Sequence, residues 1–153
     1  MNREQLYAVL MALHGDTALL PNAAVAEVLS RDALQRSERG PPWLLGHCEW
    51  SNRQVPVISF EQLNGRAAGD DPRRERIVVL NSVGRHLPAG NLAMISQGYP
   101  HLVTLSRAAL RPIELDAADR GDLVLSRVRI ASQVALIPDL ETVEAEIARA
   151  QLG

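Results

Sequence analysis

The stretch WLLGHCEWSNRQVPVISFEQL, residues 43–63, decides how this chain folds. It divides into two short apolar strands joined by a polar turn at residues 51–53. Gly46 in the first strand predicts a bulge or a close backbone approach, and Pro56 in the second predicts an edge or a bulge. The stretch therefore predicts a bent β-hairpin with a partly exposed edge, of the kind found at the corner of a small barrel.

Composition limits the classes of protein to which this chain can belong. The chain has 153 residues, 46% of them hydrophobic, which suits one domain or two small lobes that share a core. Its net charge of −2 argues against a general nucleic-acid binder, which would show a basic excess. Every basic residue is an arginine, so a phosphate-loop lysine, a Schiff-base lysine and a lysine general base are all excluded.

Short apolar segments separated by glycine, proline and polar residues recur along the rest of the chain. Asp139 is a suitable N-cap for an amphipathic helix at Leu140–Leu152. Because no long helix alternates with the strands, the pattern predicts an all-β antiparallel barrel or sandwich with one C-terminal helix. Strands are expected at residues 6–13, 17–20, 77–80, 92–95, 102–105, 123–130 and 133–137.

Three segments bear on the organisation of the fold. Residues 23–29 fit a helix and, equally well, a helical turn followed by a short strand. The sequence QVPVI at residues 54–58 returns about half a chain later as QVALI at residues 133–137, which is what two related lobes would produce. The charged, glycine-containing segment 64–76 is the best linker, and we expect a boundary between two lobes there.

The sequence contains no convincing catalytic or metal-binding constellation. The four histidines are scattered, and none has a second ligand at helical or turn spacing. Cys48 is the only cysteine, so an internal disulfide is excluded and a buried thiol in a reducing compartment is expected. We therefore expect no catalytic residue, no metal site and no cofactor.

Hydropathy predicts a cytoplasmic protein without direct membrane insertion. No apolar run approaches the roughly 18 residues that a membrane-spanning helix needs. The apolar segment at residues 6–13 is short and lacks a small-residue cleavage site, so we interpret it as a strand rather than as a signal peptide.

The two tryptophans bracket the first strand of the hairpin. Trp43 and Trp50 are an odd number of residues apart, so an undistorted strand would place them on opposite faces. One interpretation has one of them in the core and the other exposed, where a tryptophan beside a bent edge would anchor a partner. The alternative has both of them in the core.

The hairpin resembles the central signature of CheW-like chemotaxis coupling proteins. That family has an aromatic-aliphatic-x-Gly stretch, a strand ending in Asn-Leu-Arg-Gly, and an apolar strand with aliphatic-Pro-aliphatic-aliphatic. Trp43, Gly46 and the segment 55–58 match this pattern in type and without a gap. Asp139-Leu140-Glu141 is similar to the closing Asp-aliphatic-Glu that precedes the last helix of the family.

The chain departs from the family at the turn. Glu49-Trp50-Ser51-Asn52 stands where the family has Asn-Leu-Arg-Gly, so the arginine is replaced by Ser51. Asn52 is a sensible replacement for glycine, because asparagine tolerates a positive φ. The acidic position after the proline-containing strand is Ser59. These departures fit a divergent, accessory coupling protein of a type IV pilus chemosensory system.

The resemblance implies an all-β fold of two SH3-like five-stranded antiparallel barrels, packed on a shared core with a C-terminal helix. It implies one CheW-like domain over residues 1–153, built from two interleaved lobes with a connector near 64–76. It implies a non-enzymatic adaptor whose partners are the regulatory domain of a CheA-type histidine kinase and the cytoplasmic tip of a methyl-accepting receptor. No nucleic acid is expected as a partner.

The hairpin is the predicted partner-binding site, with an interlobe groove nearby. Its interrupted edge leaves backbone donors and acceptors open, and an arginine at the turn can pair with an acidic helix. Two alternatives remain open: a small β-barrel enzyme that uses Cys48 or a histidine, and an arginine-dependent RNA-binding barrel. The predicted binding residues are Glu49, Trp50, Ser51, Asn52, Arg53, Val55 and Pro56.

Overall fold

The structure is a computed structural model that describes residues 5–88 and 90–152. Its helices are the single turn α1 (Phe60–Leu63) and the C-terminal α2 (Leu140–Leu152). Its strands are β1 (Gln5–Leu13), β2 (Asp16–Pro21), β3 (Val25–Ser30), β4 (Gln35–Arg36), β5 (Leu44–Trp50), β6 (Arg53–Ile58), β7 (Arg76–Asn81), β8 (Asn91–Ser96), β9 (His101–Ser106), β10 (Arg111–Ile113), β11 (Val124–Ile130) and β12 (Gln133–Pro138).

The strands form two six-stranded sheets, which we call the first and second lobe. The first lobe has the order β10-β11-β12-β2-β1-β9, and the second has the order β3-β7-β8-β6-β5-β4. The predicted all-β class, with two small barrels and one C-terminal helix, is confirmed. Two details differ from the expectation of five antiparallel strands, because each sheet gains a short edge strand and contains one parallel pair, β12 with β2 or β6 with β8.

The two lobes have the same connectivity, displaced along the chain. In each lobe a hairpin is followed by a helix, as β5-β6 is by α1 and β11-β12 is by α2, and the second strand of that hairpin pairs in parallel with another strand. The echoed segments 54–58 and 133–137 lie in these equivalent strands, β6 and β12. The second lobe is continuous in sequence, whereas the first is assembled from both ends of the described chain.

The charged segment 64–76 does not mark the boundary that we expected between the lobes. It joins β6 to β7, which both belong to the second lobe, and the chain changes lobes between β2 and β3 and again between β8 and β9. Most of the segment is exposed, but Asn64 and Glu75 near its ends are buried, and composition carries no information on which strands pair. The ambiguous residues 23–29 form a 3₁₀ turn at Asn22–Ala24, followed by β3.

Three apolar clusters hold the fold together. One fills the first lobe around Val128 and Ala135, and another fills the second lobe around Cys48, Val55 and Ile77. The largest cluster lies between the lobes and combines residues of β1, β2 and β12 with residues of β5 to β8 and α2. Because this shared core receives side chains from both sheets, neither lobe can bury its apolar surface alone.

Helix α2 seals the shared core. Its N-terminus is capped as predicted, since the amide of Thr142 donates to the carboxylate of Asp139 at 3.2 Å. Val143 and Ile147 are fully buried in the shared core. Glu144 is buried as well, and its carboxylate accepts hydrogen bonds from the backbone amides of the loop after β7 and from Ser82.

A buried ionic cluster also joins the lobes. The guanidinium of Arg127 in β11 donates to both oxygens of Asp16 and both oxygens of Asp119. Asn64 and Arg66, from the second lobe, donate to the same Asp119 carboxylate at 3.1 and 2.9 Å. These donors, Arg127 first, hold the pKa of Asp119 well below its usual range, so the carboxylate stays charged inside the fold.

Candidate functional site

The β5-β6 hairpin ends in a tight two-residue turn. Trp50 pairs with Arg53 in the ladder, and the two residues between them both have positive φ, 52° at Ser51 and 60° at Asn52. This combination is that of a type I′ turn, whose twist matches that of the flanking strands. Asn52 therefore takes the left-handed conformation that a glycine would favour, as its replacement of glycine predicted.

The bend in the hairpin has the cause that the sequence indicated. The ladder between β5 and β6 shifts register between Leu44 and Gly46, which is a β-bulge. Gly46 has φ +152°, and a Cβ there would collide with the backbone of Gln35 and Arg36. Pro56 lies immediately before Val57, where the parallel pairing with β8 begins, so its missing N–H costs no bond in that ladder.

The tip of the hairpin is exposed on its two edges. Strand β4 pairs only with His47 and Gly46, and β8 pairs with β6 only from Val57 onward. Among the described residues, the β5 segment from Cys48 to Trp50 thus has β6 as its one ladder partner. The partly open edge is therefore present, and it is confined to the end of the hairpin next to the turn.

Trp50 is braced against the neighbouring strand β3. Its indole Nε1 donates to the Oε1 of Glu27 at 2.8 Å, and its ring packs against the core of the second lobe. Trp43 packs against the shared core instead. Both rings are half-buried, so neither of the two predicted arrangements, one core and one exposed or both in the core, describes them.

The predicted binding residues divide into two groups. Glu49, Ser51, Asn52 and Arg53 are exposed, and Trp50 is half-buried beside them. In contrast, Val55 is 0% exposed and Pro56 is also buried, so their side chains belong to the core and not to the surface that a partner could touch. Strand β6 is exposed at its first two residues, Arg53 and Gln54, and is buried on both faces from Val55 onward.

Arg53 is held in place by a residue that sequence reasoning missed. Its guanidinium donates to the side-chain oxygen of Asn91 at 3.1 Å, and the Asn91 amide in turn donates to the carbonyl of Leu80 at 3.1 Å. Asn91 and Glu27 are 38 and 23 residues away from the side chains that they orient. No local pattern marks either of them, because only the strand pairing brings them to the hairpin.

Two concavities flank the base of the hairpin. The larger, about 480 Å³, is lined only by residues of the second lobe, with Leu44, Leu45 and Ile95 among its apolar lining and Arg31 and Glu75 among its charged lining. The smaller, about 400 Å³, lies between the hairpin and the last turn of α2, and its lining includes both His47 and Ala150. Of the two, the smaller is the one to which α2 contributes, and α2 follows the last strand of the first lobe. It therefore corresponds better to the interlobe groove that we expected.

The residue types most often used in catalysis are shielded or dispersed among the described residues. Cys48 is fully buried, and burial raises the pKa of its thiol, which disfavours the reactive thiolate. In the described part of the chain, no three histidine, cysteine or acidic side chains come close enough to hold a metal ion. Over the same residues, no helix is long and apolar enough to cross a membrane.

Comparison with known proteins identifies the architecture. The family model of the CheW-like domain matches residues 8–147. The crystal structure of the scaffolding protein TtCheW from Thermoanaerobacter tengcongensis superimposes with a TM-score of 0.75 at 15% sequence identity, covering 90% of this chain and 91% of that one. No curated protein sequence matches the chain significantly.

Proposed function

The chain belongs to the CheW-like domain family, and we propose that it is a non-enzymatic adaptor that couples a methyl-accepting chemoreceptor to a CheA-type histidine kinase. The observation that carries the proposal is the extent of the family match, which runs over residues 8–147 and so includes both lobes and most of α2. An adaptor needs two surfaces on one rigid body, and the shared core supplies that rigidity.

We propose the tip of the β5-β6 hairpin as the partner-reading surface. Its exposed members are Glu49, Ser51, Asn52 and Arg53, with the edge of Trp50 beside them. The tip combines both charges, a rigid type I′ turn and an open strand edge, which suits a helical or extended partner segment. The bonds of Trp50 to Glu27 and of Arg53 to Asn91 support this choice, since a pre-oriented surface loses little entropy on binding.

The second partner would use the concavity between the hairpin and α2. A receptor tip is helical, and a helix docks in a groove that has an apolar floor and a polar rim. Leu44 and Ala150 supply apolar lining to this concavity, and Arg39 and His47 supply polar lining. In this proposal the chain works in the cytoplasm, and its altered turn adapts it to a receptor of its own, as in the accessory branch of a type IV pilus chemosensory system.

Titration calorimetry with a kinase regulatory domain and with a cytoplasmic receptor fragment tests the proposal. We expect both to bind, and we expect Arg53→Glu to weaken one of them by about tenfold or more, which equals ~1.4 kcal/mol. Arg74→Glu is the matched control, because it makes the same change of charge at an exposed residue far along the chain from the hairpin.

Ser51→Trp adds a steric test at the same surface. It should block the partner that reads the turn while circular dichroism and the melting temperature show a folded protein. If Arg53→Glu and Ser51→Trp both fold and bind like the wild type, the hairpin is not the interface. If neither fragment binds the wild type at all, the adaptor proposal itself fails.

A further inference from the structure

Two arginines face each other directly in the first lobe. The antiparallel register of β10 and β11 places Arg111 opposite Arg129, and both are exposed. Side chains in directly opposed positions have Cβ atoms about 5 Å apart, and like charges at that separation destabilise a sheet. The chain has 18 acidic residues, and one of them at either position would remove the repulsion. The pair is therefore unfavourable for stability, which suggests a role in binding.

A third arginine on the same face, Arg127, has the carboxylate partners that the pair lacks. Arg127 lies two residues before Arg129 and therefore points to the same side of β11. It is buried and binds the carboxylates of Asp16 and Asp119 at 2.7 and 2.6 Å. Over residues 5–88 and 90–152, by contrast, no carboxylate forms an ion pair with Arg111 or with Arg129.

The position of β10 determines how a partner could approach the pair. It is the edge strand of its sheet, and its central residue is Pro112. Proline cannot donate to a new ladder, and an edge that contains it resists the addition of another strand. The contact is therefore made by the side chains, across the face of the strand pair, and not by extension of the sheet.

We propose that Arg111 and Arg129 form a further binding surface of the protein, one that takes an acidic segment of a protein partner. The Cβ atoms of such an opposed pair are about as far apart as those at i and i+4 of a helix, about 5–6 Å, so two carboxylates one helical turn apart can each meet one guanidinium. Arginine favours planar, bidentate recognition of a carboxylate. The surface lies on the first lobe and is independent of the hairpin, which belongs to the second.

A protein partner fits the charge of the chain better than a membrane or a nucleic acid does. Binding to a polyanionic surface draws on a broad basic field, whereas this chain has a net charge of −2 and the pair is a local exception. Binding of two carboxylates requires no broad basic surface, because the two guanidinium groups neutralise both of their charges.

Fluorescence anisotropy with a helical peptide that carries two glutamates one turn apart tests the proposal. We expect saturable binding to the wild type, loss of at least about tenfold in affinity with the double variant Arg111→Glu/Arg129→Glu, and no binding of the peptide with glutamine in place of glutamate. The control is Arg73→Glu/Arg74→Glu, which changes the charge equally at two exposed arginines of the linker. Equal losses in both double variants, or none in either, would overturn the proposal.

Stability measurements on the single variant Arg129→Glu provide an independent arm. It replaces a repelling pair by an attracting one, so we expect a higher melting temperature together with weaker peptide binding. A lower melting temperature would mean that the arginines do not repel and would remove the premise.

Binding of phosphatidylserine vesicles in preference to the peptide would also overturn the proposal. Arg53→Glu at the hairpin should leave this binding unchanged, which separates it from the proposed adaptor site.

Discussion

The indole nitrogen of Trp50 lies 2.8 Å from the carboxylate of Glu27 and donates a hydrogen bond to it. This bond joins the last residue of β5 to the edge strand β3, at the point where the ladder of β5 has no partner other than β6 among the described residues. It therefore stands in for a missing backbone pairing and fixes the orientation of the hairpin tip. A tip that is fixed in this way can present exposed side chains in one arrangement.

We predict that Trp50→Phe loosens the hairpin tip without unfolding the lobe. The variant keeps an aromatic ring but loses the N–H donor and the second ring of the indole, so the free energy of unfolding should fall by at least the about 0.5–1.5 kcal/mol of one hydrogen bond. Amide hydrogen exchange of Ser51 to Arg53 should accelerate. Trp43→Phe is the control, because the described residues give its indole no hydrogen bond, and it should leave exchange at the turn as in the wild type.

Acid should destabilise the protein through the ionic cluster between the lobes. The pKa of Asp119 is lowered in the fold, chiefly by the Arg127 guanidinium, from an ordinary value of about 3.9. A carboxyl whose folded pKa is depressed contributes stability that is fully present above its unfolded pKa and is lost as pH falls toward the folded one. We expect the melting temperature to drop as the pH falls below about 4.

Asp119→Asn separates this contribution from general acid effects. The side chain of Asp119 is 0% exposed and that of Arg127 is 8% exposed, and breaking a buried pair by removing one partner costs roughly 3–5 kcal/mol. The variant should be less stable at pH 7 and should lose less further stability than the wild type between pH 5 and pH 2. Parallel pH profiles for the two proteins would contradict the assignment.

Helix α2 should prove to be structural. Ile147 is fully buried in the shared core, and truncating such a side chain to alanine costs ~2–5 kcal/mol. Chemical denaturation of Ile147→Ala checks this value, with Arg149→Ala as an exposed control in the same helix. If Ile147→Ala melted like the wild type, the helix would be a loosely attached arm and not part of the core.

The carboxylate of Glu144 should hold the loop after β7 against α2. It accepts from the amide of Val83 at 2.7 Å, from the amide of Gly84 at 3.1 Å and from the Ser82 hydroxyl. Replacing it by leucine would leave those buried donors without an acceptor, at a cost of about 1–3 kcal/mol for each unsatisfied group. Glu144→Gln keeps one acceptor oxygen and should lose less stability, whereas equal losses in the two variants would point to packing alone.

Cys48 should react slowly in the native protein. Its side chain is fully buried, and burial raises the pKa of its thiol above the ordinary value of about 8.5. We expect alkylation at pH 7 to follow the opening of the second lobe, so that it accelerates in denaturant. Rapid alkylation of the folded protein at neutral pH would revive the hypothesis of an enzyme that uses this thiol.

Local pattern was sufficient for most of the elements. The bulge at Gly46, the turn at Asn52 and the capped helix after Asp139 follow from the conformational preferences of single residues, which act wherever the residue occurs. The echo between residues 54–58 and 133–137 reflects two strands in equivalent positions of two lobes. These features depend on a few neighbouring residues, so the sequence alone contains them.

Tertiary structure decided which strands pair and which polar groups meet. Segment 64–76 connects β6 to β7 within one lobe, where Ile77 and Val79 of β7 join the core, and no property of the linker itself indicates this pairing. Arg127 and Asp16 lie 111 residues apart in the chain, and Val55 is buried although Arg53 and Gln54 just before it are exposed. Such contacts arise from the packing of two sheets on one core, whose free energy depends on residues far apart in sequence.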